Sequence, residues 1–174
     1  MNSIKENLEV IHNRILTASK NVGRNSNEIK LLLATKTVSC ENIKIQLQCG
    51  ETLIGENKVQ ELKEKFECLK SLTHKTHFIG HLQTNKINDV LKYADCIQSV
   101  DRLDLAQKLD QRLNQDGISI DIMIQVNTSF EESKFGVSPT NIISFAKEIA
   151  KYDTLKVKGL MTIGLFSAED IQVR

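Results

Sequence analysis

The sequence predicts an α/β fold in which helices cover a parallel sheet. Short apolar runs recur along the 174 residues, and segments with helical spacing separate them. Strands that are apolar along their whole length are typical of parallel sheets, because helices bury both faces. The length, with 40% apolar and 26% charged residues, is also typical of one globular domain, so we expect residues 1–174 to form a single domain.

The first predicted element is an amphipathic helix. Ser3 can cap it, and Glu6 follows at the spacing of a capping box. Gly23 follows the end of the apolar pattern, as expected just after a helix. Four apolar residues share one face of this helix: Ile4, Leu8, Ile11 and Ile15.

Six strands follow, and most of the segments between them have helical spacing. The apolar runs are centred on these residues: Leu32, Leu53, Phe78, Ile97, Ile124 and Leu160. Ser138-Pro139 predicts a helix start, with a capping serine and proline at the first helical position. Another helix start occurs at Ser167, but the sequence stops at Arg174, so we expect the chain to be cut inside an element.

Two architectures fit this alternation: an open, doubly wound sheet and a (β/α)-barrel. The turn after the first strand, TKTVSCEN (35–42), lacks the G-x-G-x-x-G pattern. This absence argues against a dinucleotide-binding fold. The periodicity by itself leaves the barrel and the open sheet as alternatives.

Composition excludes several functions. The 23 basic and 22 acidic residues give a net charge of +1, which argues against a nucleic-acid coat or a basic membrane anchor. Six Phe, two Tyr and no Trp are too few for base-stacking platforms. No apolar run approaches the ~20 residues of a membrane span, and the N-terminus lacks a signal pattern. We therefore expect a cytoplasmic protein without nucleic-acid or membrane partners.

Two further patterns have simple structural interpretations. The four cysteines, Cys40, Cys49, Cys68 and Cys96, contain no C-x-x-C pair, so we expect reduced and partly buried thiols, with Cys40 inert. The run KVQELKEKFECLK (58–70) predicts a charged helix face that is exposed to solvent.

Polar residues follow most of the predicted strands. In parallel α/β folds, the functional site lies at the carboxyl ends of the strands. The residues in these positions are Lys36, Glu56, Asn57, His81, Ser99, Asp101, Asn127, Met161 and Thr162. His74 and His77 lie near His81, but no Cys or paired acid stands at ligand spacing, so we do not predict a metal site.

Lys36 is the sharpest candidate, because it ends the most apolar of the predicted strands. A lysine in a partly desolvated pocket can form a Schiff base with an aldehyde. The alternative is a lysine that extends toward solvent and pairs with a carboxylate such as that of Glu56. Sequence reasoning by itself favours this alternative.

Six motifs in the same order resemble the pyridoxal phosphate (PLP) homeostasis protein family of the YggS/PROSC type. The motifs are TKTVS (35–39), GENKVQE (55–61), HFIGHLQTNK (77–86), SVDR (99–102), QVNTSFEESKFG (125–136) and KGLMTIGLF (158–166). The resemblance implies a (β/α)8 TIM-type barrel related to the alanine racemase barrel. It also implies that PLP is held as an aldimine on Lys36, with Asn57 and His81 near the cofactor.

The sequence departs from the family pattern in two places. Lys58 replaces the aromatic residue usual after Asn57, a change that should matter little. The family's last two strands, with their serine-rich phosphate motif, do not occur, so we expect about six of eight βα units. The chain should then bind PLP more weakly than a full-length relative, and it could self-associate where full-length members are monomers.

Three functions remain open at this point. The leading one is a non-enzymatic PLP carrier that contacts PLP-dependent apoenzymes transiently. The second is a truncated remnant with impaired PLP binding. The third is a PLP-dependent racemase, which needs a second acid–base group opposite the lysine; Tyr93 and Tyr152 are the only tyrosines, and both fall near the ends of predicted helices.

Overall fold

The computed structural model describes residues 3–129, 131 and 134–165. The helices are α1 (Ile4–Asn21), α2 (Cys40–Gln48), α3 (Val59–Leu69), α4 (Ile87–Tyr93), α5 (Leu103–Asp116) and α6 (Ile142–Ile149). The strands are β1 (Leu33–Ala34), β2 (Leu53–Glu56), β3 (Lys75–Phe78), β4 (Cys96–Val100), β5 (Ile120–Val126) and β6 (Leu155–Thr162). Short 3₁₀ turns occur at Ser26–Glu28, Thr84–Lys86 and Pro139–Asn141.

The local start signals in the sequence are confirmed. Ser3 and Glu6 form the capping box of α1, with the Glu6 amide donating to Ser3 Oγ and the Ser3 amide donating to Glu6 Oε2. Pro139 opens a 3₁₀ turn that leads directly into α6. The helix start predicted at Ser167 lies outside the described residues.

The order of the strands decides between the two architectures. All six strands are parallel and lie in the order β1-β2-β3-β4-β5-β6. A doubly wound sheet reverses its strand order at a switch point, whereas each strand of a barrel lies beside the one that precedes it in sequence. The fold is therefore of the (β/α)-barrel type, with six consecutive units in the described part of the chain.

Two apolar clusters hold the helices on the sheet. The larger one contains 17 buried residues, among them Phe78, Ile97, Leu109 and Ile122, and it joins β3–β5 to helices α3–α6. The smaller one consists of Ile43, Leu47, Ile54 and Leu69, and it lies beneath α2 and α3. The unit that carries Lys36 thus rests on the smaller cluster.

The two edge strands are more exposed than their apolar sequences predict. Ala34 of β1 is exposed, and Leu160 of β6 is 61% exposed. Each of these strands pairs with one neighbour within the described residues. A strand that lacks a neighbour on one side loses part of its cover, which explains the difference.

The prediction of four reduced cysteines is wrong for one pair. Cys40, at the first position of α2, and Cys68, near the end of α3, form a disulfide with their Cα atoms 6.5 Å apart. The sequence spacing hides this pair because only the packing of α2 beside α3 brings the two residues together. Cys49 and Cys96 are unpaired, and burial raises the pKa of the Cys96 thiol to about 12.

Candidate functional site

The three predicted site residues lie at one edge of the sheet. Lys36 follows β1, Asn57 follows β2 directly, and His81 lies three residues beyond β3. Because the three strands are parallel neighbours, their carboxyl ends open at the same mouth. Ala34 pairs with Gly55, so Lys36 and Asn57 each lie two residues beyond this last pair of the β1–β2 register.

Lys36 stands on a turn and its side chain is exposed. The sequence suggested Glu56 as a partner for Lys36, but the Glu56 carboxylate binds other groups. Its Oε1 accepts from Thr35 Oγ1 at 2.6 Å and from Lys65 Nζ at 2.7 Å. Lys36 itself makes no ion pair with any described residue. The Glu56 pairing proposed for Lys36 is therefore wrong, because Lys65 takes that place.

Lys65 also corrects the expectation of a solvated helix face at 58–70. Its side chain is 11% exposed, and Nζ donates to Thr35 O at 2.7 Å, Glu56 Oε1 at 2.7 Å and Glu61 Oε2 at 2.9 Å. Burial lowers the pKa of Lys65, but the bonds to Glu56 and Glu61 outweigh this effect and raise the pKa above its ordinary value. The sequence spacing did not indicate that Lys65 is buried, since a Glu–Lys pair at i,i+4 is typical of an exposed helix face.

Asn57 is held against the loop that carries His81. A Cβ at Gly80 would collide with the carbonyl of Asn57, so only glycine allows the two backbones to approach this closely. Asn57 Oδ1 is buried and has no hydrogen-bond partner among the described residues. A buried amide oxygen without a partner is costly, so this atom is available to a ligand.

His81 is positioned by its neighbours on two sides. Its ring stacks on Phe135, with centroids 3.7 Å apart and an interplanar angle of 16°. Its Nδ1 lies 3.7 Å from Asp101 Oδ2, too far for a hydrogen bond, and Asp101 is held by Arg102 at 2.8 Å. Phe135 was not among the sequence candidates, because nothing in its local pattern indicates this contact.

Asn57 and His81 share a groove with a volume of about 710 Å³. Phe78 also lines the groove, and Lys36 is not part of that lining. The structure therefore brings Asn57 and His81 together directly. It places Lys36 on the next strand end along the same mouth.

The other strand-end candidates divide into two groups. Ser99 Oγ is buried with no hydrogen-bond partner among the described residues, so it resembles Asn57. Asn127 instead binds backbone within its own loop, donating to Glu131 O at 2.9 Å and Lys134 O at 3.1 Å. Thr162 donates to Val126 O at 2.9 Å. Asn127 and Thr162 therefore stabilise the backbone rather than present free polar atoms.

The histidines near β3 have ordinary structural partners. Gln98 Nε2 lies 2.6 Å from His77 Nδ1, and burial lowers the pKa of His77. His74 Nδ1 lies 2.7 Å from Leu72 O. Within residues 3–129, 131 and 134–165, no group of three His, Cys, Asp or Glu side chains could hold a metal ion. In that same part of the chain, no helix is both long and apolar enough to cross a membrane.

Comparison with known proteins agrees with this fold. Residues 26–173 match the family model described as alanine racemase, N-terminal domain. A solved structure of an unknown protein from Bifidobacterium adolescentis superposes with a TM-score of 0.92 at 35% identity, covering 98% of this chain and 73% of the other. The fold and the matched model thus define a barrel domain of the alanine racemase N-terminal type.

Two further relatives narrow the family. The pyridoxal phosphate homeostasis protein of Aquifex aeolicus is 40% identical over 169 residues, which are 96% of this chain and 74% of the relative. PipY of Synechococcus elongatus, solved with PLP bound, has a TM-score of 0.71 at 27% identity and covers 79% of this chain and 65% of its own. This chain belongs to the pyridoxal phosphate homeostasis protein family.

Proposed function

We propose that this chain binds PLP reversibly, without turnover, as a protein of vitamin B6 homeostasis, and that Lys36 is the point of attachment. The observation that carries the proposal is the position of Lys36: an exposed amine that follows β1, at the same end of the sheet as Asn57. Family membership and the PLP-bound relative support the choice of ligand. We also propose that residues 1–174 act as one domain with one mouth.

The residues around the mouth fit this ligand. Bound PLP supplies an aldehyde that condenses with a neutral lysine amine, with release of one water. Lys36 Nζ is the amine that we propose for this step, although Lys58, Lys63 and Lys86 line the adjoining groove. Three buried atoms have no hydrogen-bond partner in the described part of the chain, and each can bond to polar groups of a ring: Asn57 Oδ1, His81 Nδ1 and Ser99 Oγ. Asn57 and His81 thus bind and orient the ligand.

The tyrosines support a role without catalysis. A racemase needs a second acid–base group on the face opposite the lysine. Tyr93 ends α4 just before β4, and Tyr152 precedes β6, so both lie toward the amino ends of strands, away from the mouth. Tyr93 packs on Phe66 with ring centroids 5.0 Å apart, and both tyrosines pack against the larger apolar cluster. Neither tyrosine is placed to exchange a proton at Lys36.

The exposed mouth also fits a carrier. Lys36 is exposed, so a ligand attached to it would be accessible to solvent and to an incoming protein. Transfer of PLP to apoenzymes in the cytoplasm is the role that we propose for this arrangement.

Replacing Lys36 tests the attachment directly. We expect Lys36→Ala to abolish the absorbance band that PLP forms with the protein, because the amine that condenses with the aldehyde is gone. Borohydride reduction followed by peptide mass spectrometry locates the modified lysine. The matched control is Lys147→Ala, since Lys147 is an exposed lysine on α6 and is not one of the residues at the mouth.

Two outcomes would overturn the proposal. One is a band that persists in Lys36→Ala, because another lysine would then hold the ligand. The other is steady racemisation of alanine by the PLP-loaded protein at a rate that depends on Lys36, because the protein would then be an enzyme.

A further inference from the structure

The turn that carries Lys36 is anchored on both sides by two residues of α3. Lys65 Nζ donates to the carbonyl of Thr35, the residue before Lys36, at 2.7 Å. The amide of Thr37, the residue after Lys36, donates to Glu61 Oε2 at 2.7 Å. Both peptide groups that flank Lys36 therefore bind charged side chains of the same helix.

These two anchors are themselves linked. Lys65 Nζ lies 2.9 Å from Glu61 Oε2, and its remaining donor binds the buried Glu56 at 2.7 Å. All three N–H donors of the ammonium group are thus used, which fixes its position. We call Glu56, Glu61 and Lys65 the α3 anchor. Its hydrogen bonds connect β1, β2 and α3 at the point where Lys36 leaves the sheet.

The backbone shows what the anchor accomplishes. Thr37 has φ of 63°, in the left-handed region that β-branched residues rarely adopt. Such a conformation persists only when its surroundings hold it in place, and here the Glu61 carboxylate binds the amide of that residue. The left-handed residue sets the direction of the chain immediately after Lys36. The anchor therefore determines how Lys36 is presented.

We propose that Glu61 and Lys65 are positioning residues for Lys36: they hold the turn so that the Lys36 amine faces the mouth. This inference rests on the function proposed above. A purely stabilising role explains the arrangement less well, because a buried ion pair adds little net stability compared with apolar packing. Neither residue touches the ligand in this account, and both act through the backbone on either side of Lys36.

Glu61→Ala is the decisive variant, because Lys65 keeps its bonds to Glu56 and Thr35 and the fold keeps its buried charge pair. We expect the amide of Thr37 to exchange hydrogen about tenfold faster in the protein without PLP, since it loses its acceptor. We expect the affinity for PLP to fall by a similar factor. Pyridoxal, which lacks the phosphate, should lose affinity by the same factor, because the change concerns the amine and not a phosphate site.

Two further variants separate positioning from stability. Glu61→Gln keeps an acceptor oxygen for the Thr37 amide, so it should restore part of the exchange protection and part of the affinity. The control is Glu148→Ala, which removes an exposed carboxylate that pairs with Lys151 on the surface after α6. That control should leave Thr37 exchange and both affinities unchanged.

The outcomes distinguish the two proposals. If the wild-type protein forms no band with PLP at Lys36, the proposed function fails and this inference fails with it. If the wild type binds PLP but Glu61→Ala binds PLP and pyridoxal equally well, the inference alone is overturned. A fall for PLP without a fall for pyridoxal would also overturn it, because the anchor would then act on the phosphate.

Discussion

The two halves of the sheet are stabilised by different interactions. The half that carries β1, β2 and Lys36 has a small apolar cluster of four buried residues, supplemented by the α3 anchor and the Cys40–Cys68 disulfide. The half around β4 and β5 relies on a cluster of 17 buried apolar residues that also includes Phe78 of β3. Apolar packing responds weakly to pH and not to reductants, whereas ion pairs respond to pH and disulfides respond to reductants. The half that carries the site should therefore be the half whose stability depends on solution conditions.

Loss of the buried lysine, Lys65, should have the largest effect on the stability of the half that carries β1, β2 and Lys36. We expect Lys65→Met to lower the free energy of unfolding by about 3–5 kcal/mol, because the buried carboxylate of Glu56 loses its ion-pair partner. Urea unfolding measures the loss. The matched control is Lys70→Met, five residues further on at the end of α3, whose pair with Glu67 is exposed and should contribute less than about 1 kcal/mol.

The pH dependence of this loss follows from two opposite pKa shifts. The bonds to Lys65 and to the amide of Thr37 lower the pKa of Glu61, so its contribution is present above about 4.5 and is lost as the pH falls through the lowered value. The raised pKa of Lys65 means that its contribution is present below 10.5 and is lost as the pH rises through the raised value. The wild type and Lys65→Met should thus differ most between these limits. A difference below 1 kcal/mol at pH 7 would contradict the prediction.

Removal of the disulfide should have the next largest effect. The bond joins residues 28 positions apart, and a loop of that size corresponds to about 3–4 kcal/mol of stabilisation. We expect the Cys40→Ser, Cys68→Ser double variant to unfold at a correspondingly lower urea concentration, and the wild type to match it after reduction. Cys49→Ser is the control, because Cys49 is exposed and unpaired. Equal stability of the oxidised and the reduced wild type would contradict this prediction.

The smallest expected effect concerns His77, between the two halves. Burial lowers its pKa, so the folded protein holds the neutral ring while the unfolded chain takes up a proton below about pH 6.5. Stability should therefore decrease as the pH falls below 6.5 toward the lowered value. His77→Gln should show a shallower decrease over the same range in thermal unfolding. Parallel curves for the two proteins would show that another group is responsible.

Much of the architecture could be predicted from sequence. All six strands, the capping box at Ser3 and the position of Lys36 at the end of β1 agree with the structure. The choice of a barrel came from a resemblance in motifs, and the strand order then confirmed it by a separate route. Periodicity succeeded here because the apolar residues of β4 and β5, such as Ile97 and Ile122, are buried in one large apolar cluster.

The surroundings of Lys36 could not be predicted in the same way. The 58–70 run has the composition of a solvated helix face, yet Lys65 is buried beneath the turn that it anchors. Similarly, Cys40 and Cys68 belong to different helices and have no motif in common. The assignment of Lys36, Asn57 and His81 to PLP stays a prediction that the variants above test.

The sequence by itself determined the elements and the strand end at which each candidate side chain appears, because capping and periodicity depend on residues three or four positions apart. Only the tertiary structure decided which charge is buried and which is exposed. Glu56 meets Lys65 instead of Lys36 because α3 lies across the end of β2, and a buried carboxylate binds the cation that the packing brings to it. Such partners are chosen by distance in space, which the order of residues does not record.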